Sequence, residues 1–334
     1  MTVGQRIDDF IRLGDWLAEE SNREPMIRRA ERNNGWFTAD QTRYAMDAVQ
    51  PWLTRTSLEF WLRNLPEHPS SVRKVGVVMA GNIPMVGFHD MLCVLASGHQ
   101  LMAKTSSQDD VLLPALGQVL ISINPDWSSR LAFQERINGA DAVIATGSNN
   151  SARYFEYYFR NIPLLLRKGR SSLAVLNGKE SDDELHALGN DIFRYFGLGC
   201  RNVSRILIPE EYPLDKLIGA LLPWADILEH HKYANAYTYQ RALLLVDQQP
   251  FTDNGFCIFR QSEVASSPVS VLHYSRYRSS DHLASLLAAV HDSTQCIVAG
   301  SDGPEGCIPF GRSQHPALDE YADGTDTLAF LSGL

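Results

Sequence analysis

From residue 72 onward the chain alternates short, nearly continuous apolar runs with segments of helical spacing, and this alternation limits its fold more than any other feature. Residues 72–80 read as a strand, 81–87 as a connection, 88–98 as a helix and 99–106 as a second strand. The pattern repeats: 109–123 reads as a helix, 130–136 and 140–147 as strands, 151–159 as a helix and 171–178 as a strand. Runs that are apolar at every position suit strands covered on both faces, so the reading is α/β with a parallel, mostly buried sheet. In the helix read over 180–197, Ser181 is followed three residues later by Glu184, the spacing of a capping box. Beyond Cys200 the alternation resumes. Strands are expected over 204–211, 242–247, 255–261, 270–277 and 295–301, and helices over 214–224 and 282–292.

A chain of 334 residues exceeds one ordinary core, so about two domains are expected. Residues 1–65 carry apolar positions at three- and four-residue steps (Ile7, Phe10, Ile11; Leu13, Trp16, Leu17), and Pro51 is placed to open a helix. The expected division is 1–65, a helical segment packing on the cofactor domain; 66–198, a nicotinamide-cofactor-binding domain; 199–300, a catalytic thiol domain; and 301–334, a loop-like C-terminal arm. These functional labels follow from the motifs below.

Thirty Lys and Arg against 39 Asp and Glu give a net charge of −9, the wrong sign for non-specific attraction to nucleic acid or an anionic membrane. Residues 76–98 are long enough to suggest a membrane span, but Asn82, Pro84, His89 and Asp90 interrupt them. Five cysteines without CxxC spacing suggest neither a disulfide framework nor a zinc site, and ten histidines show no HxH or HxxxH pairing. No metal is expected. Reduced thiols and a charged N-terminus without a signal-peptide core point to a cytoplasmic location.

The most informative segment runs from Phe196 to Ser204, where Gly197 and Gly199 precede Cys200. Glycines let backbone approach another group closely, which suits a thiol presented to a substrate. Cysteine is among the most buried residue types, and Cys93, Cys257, Cys296 and Cys307 read as inert core or surface thiols. A second segment, 81–84, falls where the strand over 72–80 ends, the edge at which ligands bind parallel sheets. There the Asn82 amide can donate to a developing oxyanion, although a plain turn role fits it equally. His89 follows closely, and a Cys200–His89 dyad is a competing reading beside a helix or turn role.

The residues together resemble a known family. The order GNIP, SGHQLMAKTSS, AVIATGS and a glycine-flanked cysteine is similar to the aldehyde dehydrogenase superfamily. More narrowly, GNIPMVGFHDML, AKTSS, RYFGLGCRNVS and PFGRSQHPALDEYADGTDTLAFL resemble the bacterial acyl-CoA reductase family of the luminescence fatty-acid reductase type. The resemblance implies an aldehyde-dehydrogenase-like fold, Cys200 as nucleophile, and Asn82 with the Cys200 N–H as oxyanion donors. It also implies Lys104, Ser106 and Ser107 near the adenosine ribose, Gly147 and Ser148 against the pyrophosphate, and Glu263 on the nicotinamide ribose. A homo-oligomer and an acyl-transferring partner protein are further implications.

Two departures from the superfamily refine this. Members that oxidise aldehydes carry a water-activating glutamate in a segment matched here by 165–171, which contains no carboxylate. A thioester on Cys200 would therefore persist until coenzyme A or a reductant reached it. After Lys104 the chain has Thr105, Ser106 and Ser107 where NAD-preferring members often place a glutamate, which favours NADPH over NADH. Arg167, Lys168, Arg170 and Arg201 are expected to supply positive charge for phosphate-bearing ligands. The expected activity is reduction of a fatty acyl-CoA to its aldehyde. The alternatives are a cysteine-dependent acyltransferase or thioesterase without nicotinamide chemistry, and a non-catalytic scaffold.

Overall fold

The computed structural model describes residues 1–334, the side chain of Asn149 excepted. The chain forms two compact units, one of residues 1–169 with 317–334, the other of residues 170–316. The division expected at 198/199 therefore falls earlier, at 169/170. The strand and helix that precede Cys200 form one sheet layer with the strand that follows it, and so belong to the thiol's own unit.

The first unit begins with four helices, α1 (Val3–Ala18), α2 (Glu20–Asn33), α3 (Ala39–Val49) and α4 (Arg55–Leu62), with Pro51 in a 3-10 turn before α4. Thr2 and Gln5 form a capping box that starts α1, and Ile7, Phe10, Leu13 and Leu17 make its buried face. Asp9, itself buried, accepts hydrogen bonds from Trp127 Nε1 at 2.9 Å and Asn124 Nδ2 at 2.8 Å. These bonds satisfy two donors and fix the helical lead-in to the α/β layer.

That layer consists of β1 (Lys74–Val78), α5 (Phe88–Ala96), β2 (Gln100–Lys104), α6 (Leu112–Ile123), β3 (Leu131–Phe133), β4 (Ala142–Thr146), α7 (Asn149–Tyr158) and β5 (Leu164–Arg167). All five strands are parallel, in the order β3-β2-β1-β4-β5. The chain builds outward from β1 in one direction, then returns to add β4 on its other side. The crevice at the carboxyl ends of β1 and β4 is thus the topological switch point where such sheets bind ligands. Strand β5, not expected from the sequence, extends this edge.

The second unit is built on β6 (Ser171–Val175), α8 (Asp182–Phe193), β7 (Val203–Pro209), α9 (Leu214–Ala220), α10 (His231–Val246), β8 (Thr252–Asp253), β9 (Ile258–Gln261), β10 (Val271–Tyr277), α11 (Ser280–Val290), β11 (Thr294–Ala299) and β12 (Ile308–Pro309). Its sheet runs β12-β11-β6-β7-β10-β9-β8, parallel except for β8 against β9. The capping box read from Ser181 and Glu184 starts α8. Glu184 does a second job, accepting from the Ser301 N–H at 2.9 Å, and these donors hold its carboxyl down at about 2. Residues 242–247, read as a strand, form instead the last turns of α10 and its cap. His230 caps the start of that helix, and Leu244 packs against Ile258 and Val271. An apolar run of that length fits either element, and the helix that begins at His231 continues through it.

Residues 317–334 return to the first unit. They are no free arm: α12 (Thr327–Ser332) buries Leu328 and Leu331, and the Leu331 carbonyl meets His99 Nε2 at 3.0 Å. Arg167, 4% exposed, pairs with Asp90 at 2.8 Å and donates to Thr327 Oγ1 at 2.7 Å and the Ala322 carbonyl at 3.0 Å. Replacing Arg167 with methionine is expected to destabilise the protein by about 3–5 kcal/mol, because the Asp90 carboxylate is left buried without its cation. Urea denaturation measures this, and a loss no larger than the ~1 kcal/mol of a surface pair would contradict it.

Among the described residues, no helix is long and apolar enough to cross a membrane, and no cluster of His, Cys, Asp and Glu could hold a metal ion.

Candidate active site

The structure places the candidate residues in two groups, one in each unit. Asn82, Lys104, Ser106, Ser107, Gly147 and Ser148 belong to the first, Cys200 and Glu263 to the second.

In the first unit the loops after β1 and β2 are pressed together. A side chain at Gly81 would place its first carbon 2.6 Å from Ser106 Cβ and 3.1 Å from the Asp109 backbone nitrogen, closer than atoms pack, so glycine is required there. Ser106 Oγ accepts from the Gln108 N–H at 3.2 Å, and buried Asp109 accepts from the Leu112 N–H at 3.2 Å, tying this loop to the start of α6. Burial pushes the Asp109 carboxyl up to about 6. Three residues beyond Asn82, Met85 takes a positive φ, in the left-handed region. That conformation costs a non-glycine residue roughly 1–2 kcal/mol. The Asn82 loop is thus held by its neighbours in a shape that the chain would not adopt alone.

Lys104 ends β2, and its carbonyl accepts from the Met79 N–H at 2.9 Å. Across β1, β4 ends at Thr146 and passes through Gly147 into α7, with Ser148 as N-cap accepting from the Ser151 N–H at 3.3 Å. The Ser148 hydroxyl therefore serves its own helix. A Cβ at Gly147 would stand 2.9 Å from both Phe155 Cε2 and Ser151 Cβ, so the junction stays narrow. A glycine turn into a helix N-terminus at the switch point, with a lysine two strands away, fits the pyrophosphate and ribose of a dinucleotide.

His89 is engaged elsewhere. Its Nε2 meets the Leu318 carbonyl at 2.8 Å, and its ring stands among Trp52, Trp61 and Tyr321 at centroid distances of 5.3 to 5.9 Å. Burial lowers its pKa. This contact fixes the C-terminal segment to α5 and leaves the dyad reading without support. The cationic stretch also has partners within the chain: Arg167 is the buried strut described above, Lys168 pairs with Glu156 at 3.1 Å, and Arg170 donates to the Thr294 carbonyl at 3.2 Å. Of these charges Arg167 is buried and committed within the chain, while Lys168 holds only an exposed ion pair.

In the second unit Cys200 is the one exposed cysteine of the five; Cys93, Cys257 and Cys296 are buried and Cys307 is half-buried. Burial raises the Cys93, Cys257 and Cys307 thiols above the usual range, which disfavours their thiolates. The turn that presents Cys200 begins with three successive left-handed residues, Tyr195 (φ 52°), Phe196 (φ 58°) and Gly197 (φ 75°). Asn202, 2% exposed, compensates for this strain. Its Nδ2 donates to the carbonyls of Arg194 at 2.8 Å and Asp191 at 3.1 Å, while its Oδ1 accepts from the Gly199 N–H at 2.8 Å. The Asn202 N–H in turn donates to the Gly199 carbonyl at 3.0 Å, closing a turn around the thiol. Ser172 Oγ donates to the Cys200 carbonyl at 2.9 Å.

The loop carrying Glu263 is fixed through its backbone. The carbonyls of Ser262, Glu263, Val264 and Ala265 meet, in turn, Ser275 Oγ, Arg205 Nη1, His273 Nδ1 and Ser204 Oγ, at 2.7 to 3.0 Å. Four consecutive anchors fix the loop while Glu263 stays exposed. Sequence reasoning missed Asn202, Ser172 and these anchors; the one available signal was an unusual density of Ser, Asn and Arg next to Cys200.

Similarity to known proteins defines the class first. The fold is that of aldehyde dehydrogenases. The chain aligns over its full length with 84% of aldehyde dehydrogenase 21 from Physcomitrella patens, solved with the product succinate, at a TM-score of 0.73 and 12% identity. It aligns over 91% of its length with 72% of an aldehyde dehydrogenase from Bacillus cereus, solved with NAD+, at a TM-score of 0.65 and 13% identity. Within that fold, residues 54–214 match the acyl-CoA reductase (LuxC) family, and the family resemblance read from the sequence is borne out there. The long-chain acyl-protein thioester reductase of Aliivibrio fischeri is 26% identical over 192 residues, 52% of this chain and 40% of that relative. The match thus spans less than half of that protein's length.

Proposed function

We propose that this protein is an NADPH-dependent acyl-thioester reductase that converts a fatty acyl-CoA to its aldehyde through a thioester on Cys200. The observation that carries this reading is the single exposed thiol, braced on a strained turn. The Cys200 sulfur attacks the thioester carbonyl, a C–S bond forms as the bond to coenzyme A breaks, and the Cys200 N–H and the Asn82 amide are the donors that the family resemblance implies for the oxyanion. Lys104, Ser106 and Ser107 would hold the adenosine end of the dinucleotide, Gly147 and the α7 N-terminus the pyrophosphate, and Glu263 the nicotinamide ribose. Bound there, the reduced nicotinamide would supply the hydride that turns the acyl group into aldehyde. Absence of a carboxylate from 165–171 supports reduction over hydrolysis, because no group in that stretch could activate water.

Monitoring NADPH absorbance with acyl-CoA tests the reading. Cofactor oxidation stoichiometric with aldehyde is expected, whereas free acid or acyl transfer without oxidation would establish the thioesterase or acyltransferase alternative. Asn82→Ala is expected to lower kcat by about 10²–10³-fold with little change in KM, as for other oxyanion donors. A variant that raised KM alone would show Asn82 to be a binding or turn residue. NADPH is favoured because the exposed Ser107 and half-buried Thr105 and Ser106 after β2 carry no charge to repel a 2′-phosphate.

A further inference from the structure

Asp191, on the last turn of α8, is fully buried, although nothing in the proposed chemistry calls for a carboxylate there. Both oxygens are used: Oδ2 accepts from the Gly311 N–H at 2.6 Å and Oδ1 from the Ser313 N–H at 2.9 Å. Those donors lie far along the chain, in the PFGRSQHP segment that follows β12. Asn190 adds a third tie, from its Nδ2 to the Gly311 carbonyl at 3.2 Å. The Ser313 carbonyl then accepts from Arg201 Nε, and Arg201 is the residue after the thiol. From Arg201 the chain passes to Asn202, whose Nδ2 returns to the Asp191 carbonyl. The result is a closed circuit with Cys200 on its rim: the Asp191 carboxylate, the 311–313 backbone, Arg201, Asn202 and the Asp191 carbonyl.

The geometry points to Asp191 as a positioning residue for Cys200, acting through the 311–313 segment and Arg201 to fix the turn that presents the thiol. This rests on the thioester reading for its catalytic consequence, but not for the brace itself. A buried carboxylate that only filled space would be replaceable by an amide at small cost to the neighbouring turn. One that holds two backbone N–H groups would not, since an amide oxygen accepts from one of them and its NH2 faces the other. The circuit also gives Arg201 a job. Its guanidinium is drawn to a carbonyl, and it acts on the thiol through geometry.

Two variants test this, Asp191→Asn and Arg201→Lys; the second keeps the charge beside the thiol but lacks the Nε that reaches Ser313. Native-state hydrogen exchange at the Asn202 amide reads the brace without any substrate. Exchange faster by about tenfold is expected in each variant, and wild-type exchange in either folded variant would overturn the proposal. Alkylation by iodoacetamide, resolved by peptide mass, should stay within about twofold at Cys200 and leave Cys257 and Cys296 unlabelled, because loss of position is not unfolding. Labelling of those buried thiols would show a merely structural role and overturn it. Acylation by acyl-CoA should slow by about tenfold or more in each variant. The slowing in the double variant should fall short of the product of the two, as for groups in one network; effects that multiply fully would break the circuit apart. If Asp191→Asn does not fold, Arg201→Lys carries the same criteria alone. If the wild type accepts no acyl group, the thioester reading fails while hydrogen exchange still decides the brace.

Discussion

Replacing Cys200 with alanine should abolish NADPH oxidation with acyl-CoA, leaving no measurable turnover, while thermal stability changes little. The expectation is asymmetric because the residue is exposed and forms no part of a core cluster, so its loss opens no cavity. Chemically, the other thiols are poor replacements: Cys93, Cys257 and Cys296 are buried, Cys307 is half-buried, and desolvation raises the Cys93, Cys257 and Cys307 thiols. Serine at 200 should be almost as inactive, since an alcohol needs a base to activate it and His89 is bound to the C-terminal segment. Retention of more than a trace of turnover in Cys200→Ala would remove the thiol from the mechanism.

The second large effect is expected at Asn202. Asn202→Ala removes the donations to the carbonyls of Asp191, Ile192 and Arg194 and one acceptance from Gly199. Buried backbone groups left unpaired cost about 1–3 kcal/mol each. A destabilisation of about 3 kcal/mol is therefore expected by denaturant titration. Activity should fall further than stability explains. The turn at Tyr195, Phe196 and Gly197 is left-handed at three successive positions, and such strain persists only where the surroundings over-determine it. Without Asn202 the turn can relax and the thiol leaves its place. Asn202→Asp separates these effects, since it keeps the acceptor for Gly199 but sets a carboxylate against three main-chain carbonyls. It should be at least as damaging as alanine, and wild-type activity in a folded Asn202→Asp protein would show that the turn needs no donor there.

Physical signals that are local could be read from the sequence, and those that depend on distant partners could not. Strands β1, β4, β6 and β7 were legible because burial at most positions leaves a largely apolar run. The α8 start was legible because a capping box is complete within four residues. Residues 242–247 look like a strand because Leu243, Leu244 and Leu245 satisfy strand and helix patterns alike, and what decides is the helix running into them from His231. Arg167 reads in sequence as one of several cations in a loose stretch. Only the folded chain brings it Asp90, 77 residues earlier, and Thr327, 160 residues later. The same holds for Asp191, whose partners at Gly311 and Ser313 stand 120 and 122 residues away. The candidate residues for chemistry were visible as motifs; those that brace the Cys200 turn were not, because their partners are main-chain groups with no signature of their own.

The boundary between the units illustrates this too. The motif suggests a division near Cys200, yet β6 hydrogen-bonds to β7 and β11, one on each of its edges. Pairing of that kind sets the unit as 170–316, so the turn carrying the thiol leads into a central strand of one sheet and not across a boundary. A thiol on the loop that leads into a central parallel strand gains rigidity that a linker could not give.

The central claim is that Cys200 carries the acyl group. Incubation of the protein with acyl-CoA in the absence of NADPH, followed by peptide mass spectrometry, tests it most directly. One acyl adduct per chain on the peptide containing Cys200, discharged on addition of NADPH with release of aldehyde, is the predicted result. An adduct on any other cysteine, or none on a folded protein that still consumes NADPH with acyl-CoA, would contradict it.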